Sequence, residues 1–137
     1  MAGQQTDRTA RWLIWLALAG GILLTVIGVR FFLTPGSAAR TFGIAARPEG
    51  NELYYVIGLR NVWLGLLVVA FAALRQWRAV ALWFGLGALV CFSDGLIVTT
   101  STGRPGQIAF HTGCGIASIA IAALAWRAAG RRDARGP

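Results

Sequence analysis

Three ionisable side chains lie inside long apolar stretches of this sequence: Arg60, Asp94 and His111. Placing such a side chain at mid-depth in a membrane costs at least about 2.5 to 3.5 kcal/mol, so it usually marks a functional site. Asp94 can accept a proton, His111 can act as acid or base near neutral pH, and Arg60 can bind a carboxylate, a phosphate or a developing oxyanion. This set suits proton transfer on a lipophilic substrate, such as isomerisation, epoxide opening or cyclisation, and it suits ligand binding equally well.

The composition explains why these residues are unusual. The chain has 137 residues, of which 56% are hydrophobic and 13% are charged, whereas a soluble domain has about 25% charged residues. This excludes a disordered chain, a disulfide-rich secreted module and an ordinary soluble enzyme. It leaves an integral membrane protein with one domain over residues 1–137.

The net charge of +8 comes from 13 arginines and five acidic residues. Such an excess of positive charge is also found in proteins that bind nucleic acids. Here, however, most arginines lie at the ends of apolar stretches, which is the pattern of a membrane protein. We therefore expect contact with the lipid bilayer and no nucleic-acid partner.

Four apolar stretches are long enough to span a bilayer, since a spanning helix needs about 20 mostly apolar residues. They cover about residues 12–33, 53–74, 79–100 and 107–126, and a basic tail follows over 127–137. None shows the alternation of a barrel strand, so helices remain. The sequence predicts an all-α, four-helix integral membrane bundle with short connections.

The longer first connection predicts a further short helix. Thr34 followed by Pro35 is typical of a helix start, and Gly43 is typical of a helix end. We expect this helix to lie at the membrane interface, over one mouth of the bundle. The alternative is an ordinary surface loop.

The three ionisable residues lie at similar depths from one side of the membrane. With a rise of about 1.5 Å per residue, Arg60, Asp94 and His111 lie roughly 10, 9 and 6 Å from the nearest helix end. Three antiparallel helices would thus bring them to one level and form a site. Two alternatives remain open: a structural Arg60–Asp94 ion pair that fixes helix register, or side chains that extend to the interface.

Further polar and aromatic residues near this level are predicted to bind a ligand. They are Arg30, Glu52, Tyr55, Asn61 and Trp63. Trp63 lies one turn below Arg60, where it could line an apolar pocket or simply pack. One histidine and one carboxylate are too few for a metal, and no phosphate-binding or dinucleotide-binding motif is present, so we predict no metal and no cofactor.

The distribution of arginines predicts the orientation. Eight lie on the side of both termini and the second connection, and four lie on the other side. We therefore expect a multi-pass protein of the cell membrane with both termini in the cytoplasm.

Small residues recur at four-residue spacing on the last two helices. They are Gly87, Cys91 and Gly95 on the third helix and Ala109, Gly113 and Ala117 on the fourth. Such rows allow close helix packing, within the bundle or against a second copy or a partner protein. The alternative function is therefore a non-enzymatic accessory or assembly subunit, in which the Arg60–Asp94 pair is a structural lock.

Several short motifs resemble a known family. They are FLTP at 32–35, ARTFGI at 39–44 and GLRN at 58–61, followed by Gly65. From about Leu13 to Trp126 the chain resembles the small four-helix membrane proteins catalogued as domain of unknown function 4267, and it is more distantly similar to DoxX-like proteins. An aspartate late in the third helix and a histidine early in the fourth also fit this family.

The resemblance implies that Arg60, Asp94 and His111 belong together, but it supplies no reaction. In that family an aspartate often follows the arginine of the second helix, whereas Asn61 is found here. This departure makes Asp94 the expected partner of Arg60.

Overall fold

The computed structural model describes residues 2–45 and 50–134. Within these ranges the chain forms five α-helices and no strand. They are α1 (Ala2–Leu33), α2 (Pro35–Phe42), α3 (Glu52–Ala73), α4 (Trp77–Ser101) and α5 (Pro105–Asp133). All except α2 are long and apolar enough to cross a membrane. The prediction of an all-α bundle with four spanning helices is thus confirmed.

Two helices are longer than the predicted spans. α1 begins at Ala2 rather than near residue 12, and α5 continues to Asp133, through most of the predicted basic tail. Residues 135–137 of that tail lie outside the described residues. Hydropathy marks only the part of a helix that fits the hydrocarbon layer, whereas alanine, glutamine and arginine continue a helix beyond it.

α1 and α3 pack against each other along their length because pairs of glycines face one another. A Cβ atom on Gly21 would lie 2.8 Å from the carbonyl oxygen of Gly65, and one on Gly28 would lie 2.6 Å from that of Gly58. The two glycines of each helix are seven residues apart, so both contacts lie on one face. Only glycine permits so close an approach of the two backbones.

α4 and α5 form the second close pair. The buried face of α4 includes Phe84, Ala88 and Gly95, and that of α5 includes His111 and Ala125. On α5, the predicted row at 109, 113 and 117 does not form this contact, and its packing against a second copy or a partner stays a prediction. The described residues 109, 113 and 117 are exposed, and the buried row is offset from them by two positions.

The two helix pairs meet most closely at the end of the bundle where α3 turns into α4, which we call the turn end. There a hydrophobic core joins α1, α3, α4 and α5 and includes Leu13, Val68, Val80 and Phe84. The α3–α4 connection is short, as predicted. Nevertheless, α3 packs mainly against α1 and α4 packs mainly against α5, and the contact between α3 and α4 is small.

The opposite end of the bundle, which we call the α2 end, is covered by α2. Pro35 occupies the first turn of this helix, and Gly43 ends it in a left-handed conformation with φ of 106°. Ala38 and Ala39 are buried in a core shared with Phe31 and Tyr54. The predicted helix in the first connection is confirmed.

Candidate functional site

Arg60, Asp94 and His111 all lie toward the α2 end. Counting from the ends of their helices, they are about 12, 10 and 9 Å deep. Asp94 is partly buried and lies within electrostatic range of both Arg60 and His111. The three residues therefore lie at a similar level of the bundle, with Asp94 near enough to the other two for their charges to act on it.

Arg60 and Asp94 do not form a direct ion pair. Both side chains belong to the described part of the chain, and no nitrogen–oxygen distance of 4.0 Å or less joins them. Arg60 is exposed on α3, whereas Asp94 is partly buried on α4. A structural lock needs a close, hydrogen-bonded pair to offset desolvation. The structure therefore does not favour the lock.

His111 is buried, with 5% of its surface exposed. Its Nε2 atom lies 2.9 Å from the carbonyl oxygen of Phe42. The centroids of the His111 and Phe42 rings are 4.5 Å apart. Because a carbonyl oxygen only accepts hydrogen bonds, Nε2 is the atom that donates the proton. In the neutral ring, Nδ1 then has a free lone pair and can accept a second proton.

The end of α2 is attached to the α4–α5 connection by further contacts. Thr102 Oγ1 donates a hydrogen bond to the carbonyl oxygen of Gly43 at 2.5 Å, and Ser101 Oγ accepts one from the Ala45 amide at 3.1 Å. A Cβ atom on Gly43 would lie 2.8 Å from Val98 and 2.9 Å from Gln107. Together with the His111 bond, these contacts fix α2 over the site.

Phe42 is the site residue that the sequence did not reveal. Its contribution is a backbone carbonyl, which every residue has, and its partner is 69 positions away in the chain. The one local signal was Gly43, which predicts that the helix ends there and leaves carbonyl groups without partners inside the helix.

Two of the predicted ligand-binding residues have partners near the α2 end. Arg30 donates a hydrogen bond to Thr41 Oγ1 at 3.3 Å, so it ties α1 to α2. Tyr55 is stacked on Phe32, with ring centroids 5.8 Å apart. A role of either residue in ligand binding stays a prediction.

The other three predicted ligand-binding residues differ in exposure. Glu52 is exposed at the start of α3 and folds back over Gly50. Asn61 is 4% exposed and shares the face of α3 that packs on α1. Trp63 is 52% exposed. It lies one turn from Arg60, on nearly the same side of α3 as Arg60. Of these three residues, Trp63 is therefore the one that is exposed on nearly the same side of α3 as Arg60.

Among the side chains that the structure describes, the potential metal ligands do not cluster, and no group of three or more histidine, cysteine, aspartate or glutamate residues could hold a metal. Cys91 and Cys114 are free thiols, and both are partly buried. The site therefore offers a guanidinium, a carboxylate and an imidazole as its chemical groups.

Comparison with known proteins identifies the family and no reaction. No curated protein and no solved structure matches the chain. The model of the family described as Domain of unknown function (DUF4267) matches residues 21–125, a range that includes α2, Arg60, Asp94 and His111. A relation to DoxX-like proteins stays a prediction. Because this match spans well over half of the chain, the protein is a membrane-spanning helical member of the DUF4267 family.

Proposed function

We propose that this protein binds a lipophilic small molecule between α3 and the α4–α5 pair, near the α2 end. Arg60 and Asp94 bind the polar head of the ligand, and its apolar part lies beside Trp63 and within the bilayer. The observation that supports this proposal is that Arg60 is exposed about 12 Å from the end of its helix without an ion pair to Asp94.

The cost of an arginine at this depth favours a ligand with an acceptor group. A guanidinium among hydrocarbon chains is destabilised by at least about 2.5 to 3.5 kcal/mol. A carboxylate, phosphate or carbonyl oxygen of a ligand would offset that cost through charge-assisted hydrogen bonds. Asp94, at a similar depth of about 10 Å from the end of α4, can accept a bond from a ligand hydroxyl. We therefore infer a ligand with both an acceptor and a hydroxyl group.

The same groups support acid/base chemistry on the bound molecule. The Phe42 carbonyl holds the proton of His111 on Nε2, which leaves Nδ1 as the proton acceptor. Asp94, within electrostatic range, would stabilise the imidazolium that forms. Arg60 would stabilise an oxyanion on the substrate. Isomerisation, epoxide opening and cyclisation are the reaction classes that need these three functions.

Native mass spectrometry of the protein in mild detergent tests the binding proposal. We expect a small-molecule adduct on the wild type that is lost in both Arg60→Met and Asp94→Asn. Arg104→Met is the matched control, because Arg104 is exposed near the same end of the bundle but lies in the α4–α5 connection. Retention of the adduct in Arg60→Met, or its loss in the control as well, would overturn the assignment of the site.

A second experiment separates binding from chemistry. A lipid extract is incubated with the wild type, Asp94→Asn and His111→Gln, and new products are sought by mass spectrometry. Glutamine can still donate a hydrogen bond to the Phe42 carbonyl, but it cannot accept a proton as imidazole does. A product that disappears in His111→Gln while the adduct persists supports catalysis. An adduct without any product in the wild type supports binding alone.

A further inference from the structure

A shallow apolar groove lies between α4 and α5, in the half of the bundle at the turn end. Its volume is about 500 Å³. Gly85 and Ala122 both line it, and a Cβ atom on Gly85 would lie 3.9 Å from that of Ala122. Leu82 and Ile119 extend its walls. The groove is separate from Arg60, Asp94 and His111, which lie toward the α2 end.

One end of the groove is positively charged. Arg127 is the charged residue among those that line it, and the neighbouring Trp126 is 58% exposed. Arg131 follows one turn later on α5 and is also exposed. On α4, Arg78 shares the face of Leu82, because they are four residues apart. The apolar groove thus ends in a cluster of arginines.

The charged end of the groove lies at the level of the lipid head groups. Arg127 is 22 residues from the start of α5 at Pro105, which corresponds to about 33 Å along the helix. The hydrocarbon layer is about 30 Å thick, so Arg127 lies on the opposite side from the α2 end. The groove extends from there toward Ile119, about 12 Å into the hydrocarbon. Tryptophan and arginine are the residues typical of this boundary.

We propose that this groove binds one acyl chain of an anionic phospholipid and that Arg127 binds its phosphate. The planar guanidinium of arginine binds phosphate oxygens through two parallel hydrogen bonds. Arg131 adds positive charge at the same level. Gly130, one turn from Arg127, has open space around it and leaves room for a head group.

Charge favours a lipid over a second copy of this chain as the occupant. Two copies related by a two-fold axis along the membrane normal would bring the same residues together. Arg127 and its arginine neighbours would then face their own copies at one level, and like charges repel. An anionic phospholipid supplies the opposite charge and an apolar chain of matching shape.

The head group, rather than the acyl chain, determines the selectivity. The chain is surrounded by hydrocarbon both in the groove and in the bilayer, so its transfer gives little free energy. Each arginine near an anionic membrane surface contributes about 1 kcal/mol of attraction, which is about a five-fold change in affinity. We therefore expect strong preference for head-group charge and weak preference for chain length.

Native mass spectrometry with defined lipids tests this proposal. The protein in mild detergent is mixed with phosphatidylglycerol or phosphatidylcholine of the same chains, and retained lipid is measured. Arg127→Met removes the phosphate ligand, and Gly85→Leu fills the groove. The matched controls are Arg11→Met, an exposed arginine on α1 near the turn end, and Gly113→Leu, an exposed glycine of α5 with open space around it.

We expect the wild type to retain phosphatidylglycerol at least five-fold better than phosphatidylcholine. Arg127→Met should lose this preference by about five-fold or more, Gly85→Leu should lower the retention of both lipids because the groove is filled, and both controls should keep the wild-type retention. Equal retention of the two lipids, an equal loss in Arg11→Met, or a dimer whose contact is broken by Gly85→Leu would overturn the proposal. The result is independent of the ligand near Arg60, because that adduct is lost in Arg60→Met and not in Arg127→Met.

Discussion

His111 on α5 donates a hydrogen bond from Nε2 to the carbonyl oxygen of Phe42, the last residue of α2, at 2.9 Å. This bond joins the short helix at the α2 end to the second helix pair. It also determines which nitrogen of the imidazole is free to accept a proton. One contact therefore fixes both the cover of the site and the protonation chemistry that His111 can perform.

Replacing His111 tests its contribution to stability. His111→Phe keeps an aromatic ring but removes the donor, so the Phe42 carbonyl loses its partner. We expect a loss of about 1–3 kcal/mol in the free energy of unfolding, measured by thermal or denaturant unfolding in detergent. Amide hydrogen exchange should increase in α2.

His111→Gln and Thr112→Val serve as the controls for this experiment. Glutamine retains a donor and should recover part of the loss, and Thr112 is exposed on the same helix. If His111→Phe is no less stable than Thr112→Val, the bond to Phe42 does not stabilise α2.

The packing at the end of α2 predicts that alanine destabilises the protein more at Gly43 than at Gly103, although both glycines have positive φ. Gly43 has φ of 106° and Gly103 has φ of 63°, so alanine is strained at both positions. At Gly43 the new Cβ atom would also meet Val98 at 2.8 Å, whereas at Gly103 its nearest neighbour is 3.8 Å away. Gly43→Ala should therefore cost about 1–3 kcal/mol more than Gly103→Ala. Equal stability of the two variants, measured by unfolding, would contradict the packing of α2 on α4.

The α1–α3 contact predicts that alanine destabilises the protein at Gly65 and not at Gly113. In Gly65→Ala the new Cβ atom would lie 2.5 Å from the carbonyl oxygen of Gly21, so the two helices must separate. We expect a loss of about 1–3 kcal/mol. In Gly113→Ala nothing lies within 4 Å, and alanine is a better helix former, so stability should stay equal or rise by up to about 1 kcal/mol. Thermal unfolding of both variants checks this, and similar melting temperatures would argue against the glycine contact.

The separation of Arg60 and Asp94 predicts that neither is essential for the fold. Removing one partner of a buried ion pair costs about 3–5 kcal/mol. Because no such pair joins these two described side chains, Asp94→Asn should change the free energy of unfolding by less than about 1 kcal/mol. Arg60→Met should leave it unchanged or raise it, because a charge at membrane depth is removed. A loss above about 3 kcal/mol in either variant, in the absence of ligand, would restore the structural lock.

The four spanning helices and α2 were predictable from the sequence because their signals are local. The preference of each side chain for hydrocarbon adds up along a segment, so the apolar stretches mark the spans to within two residues at both ends of α3. Pro35 and Gly43 marked the ends of α2 through their backbone preferences alone. The similar depths of Arg60, Asp94 and His111 followed from the constant rise of a helix.

Lateral arrangement required the tertiary structure. In a bilayer the lipid-facing side of a helix is as apolar as the packed side, so hydropathy does not reveal which residues face a neighbouring helix. For this reason the row at 109, 113 and 117 resembled a packing face, although His111 and Gly115 are the buried residues. The positions of the two helix pairs and α2 around one another decide which side chains touch. They leave Arg60 and Asp94 without a direct ion pair and bring His111 to the carbonyl of Phe42. The sequence alone determined depth along the membrane normal, and only the packed structure decided which side chains meet at that depth.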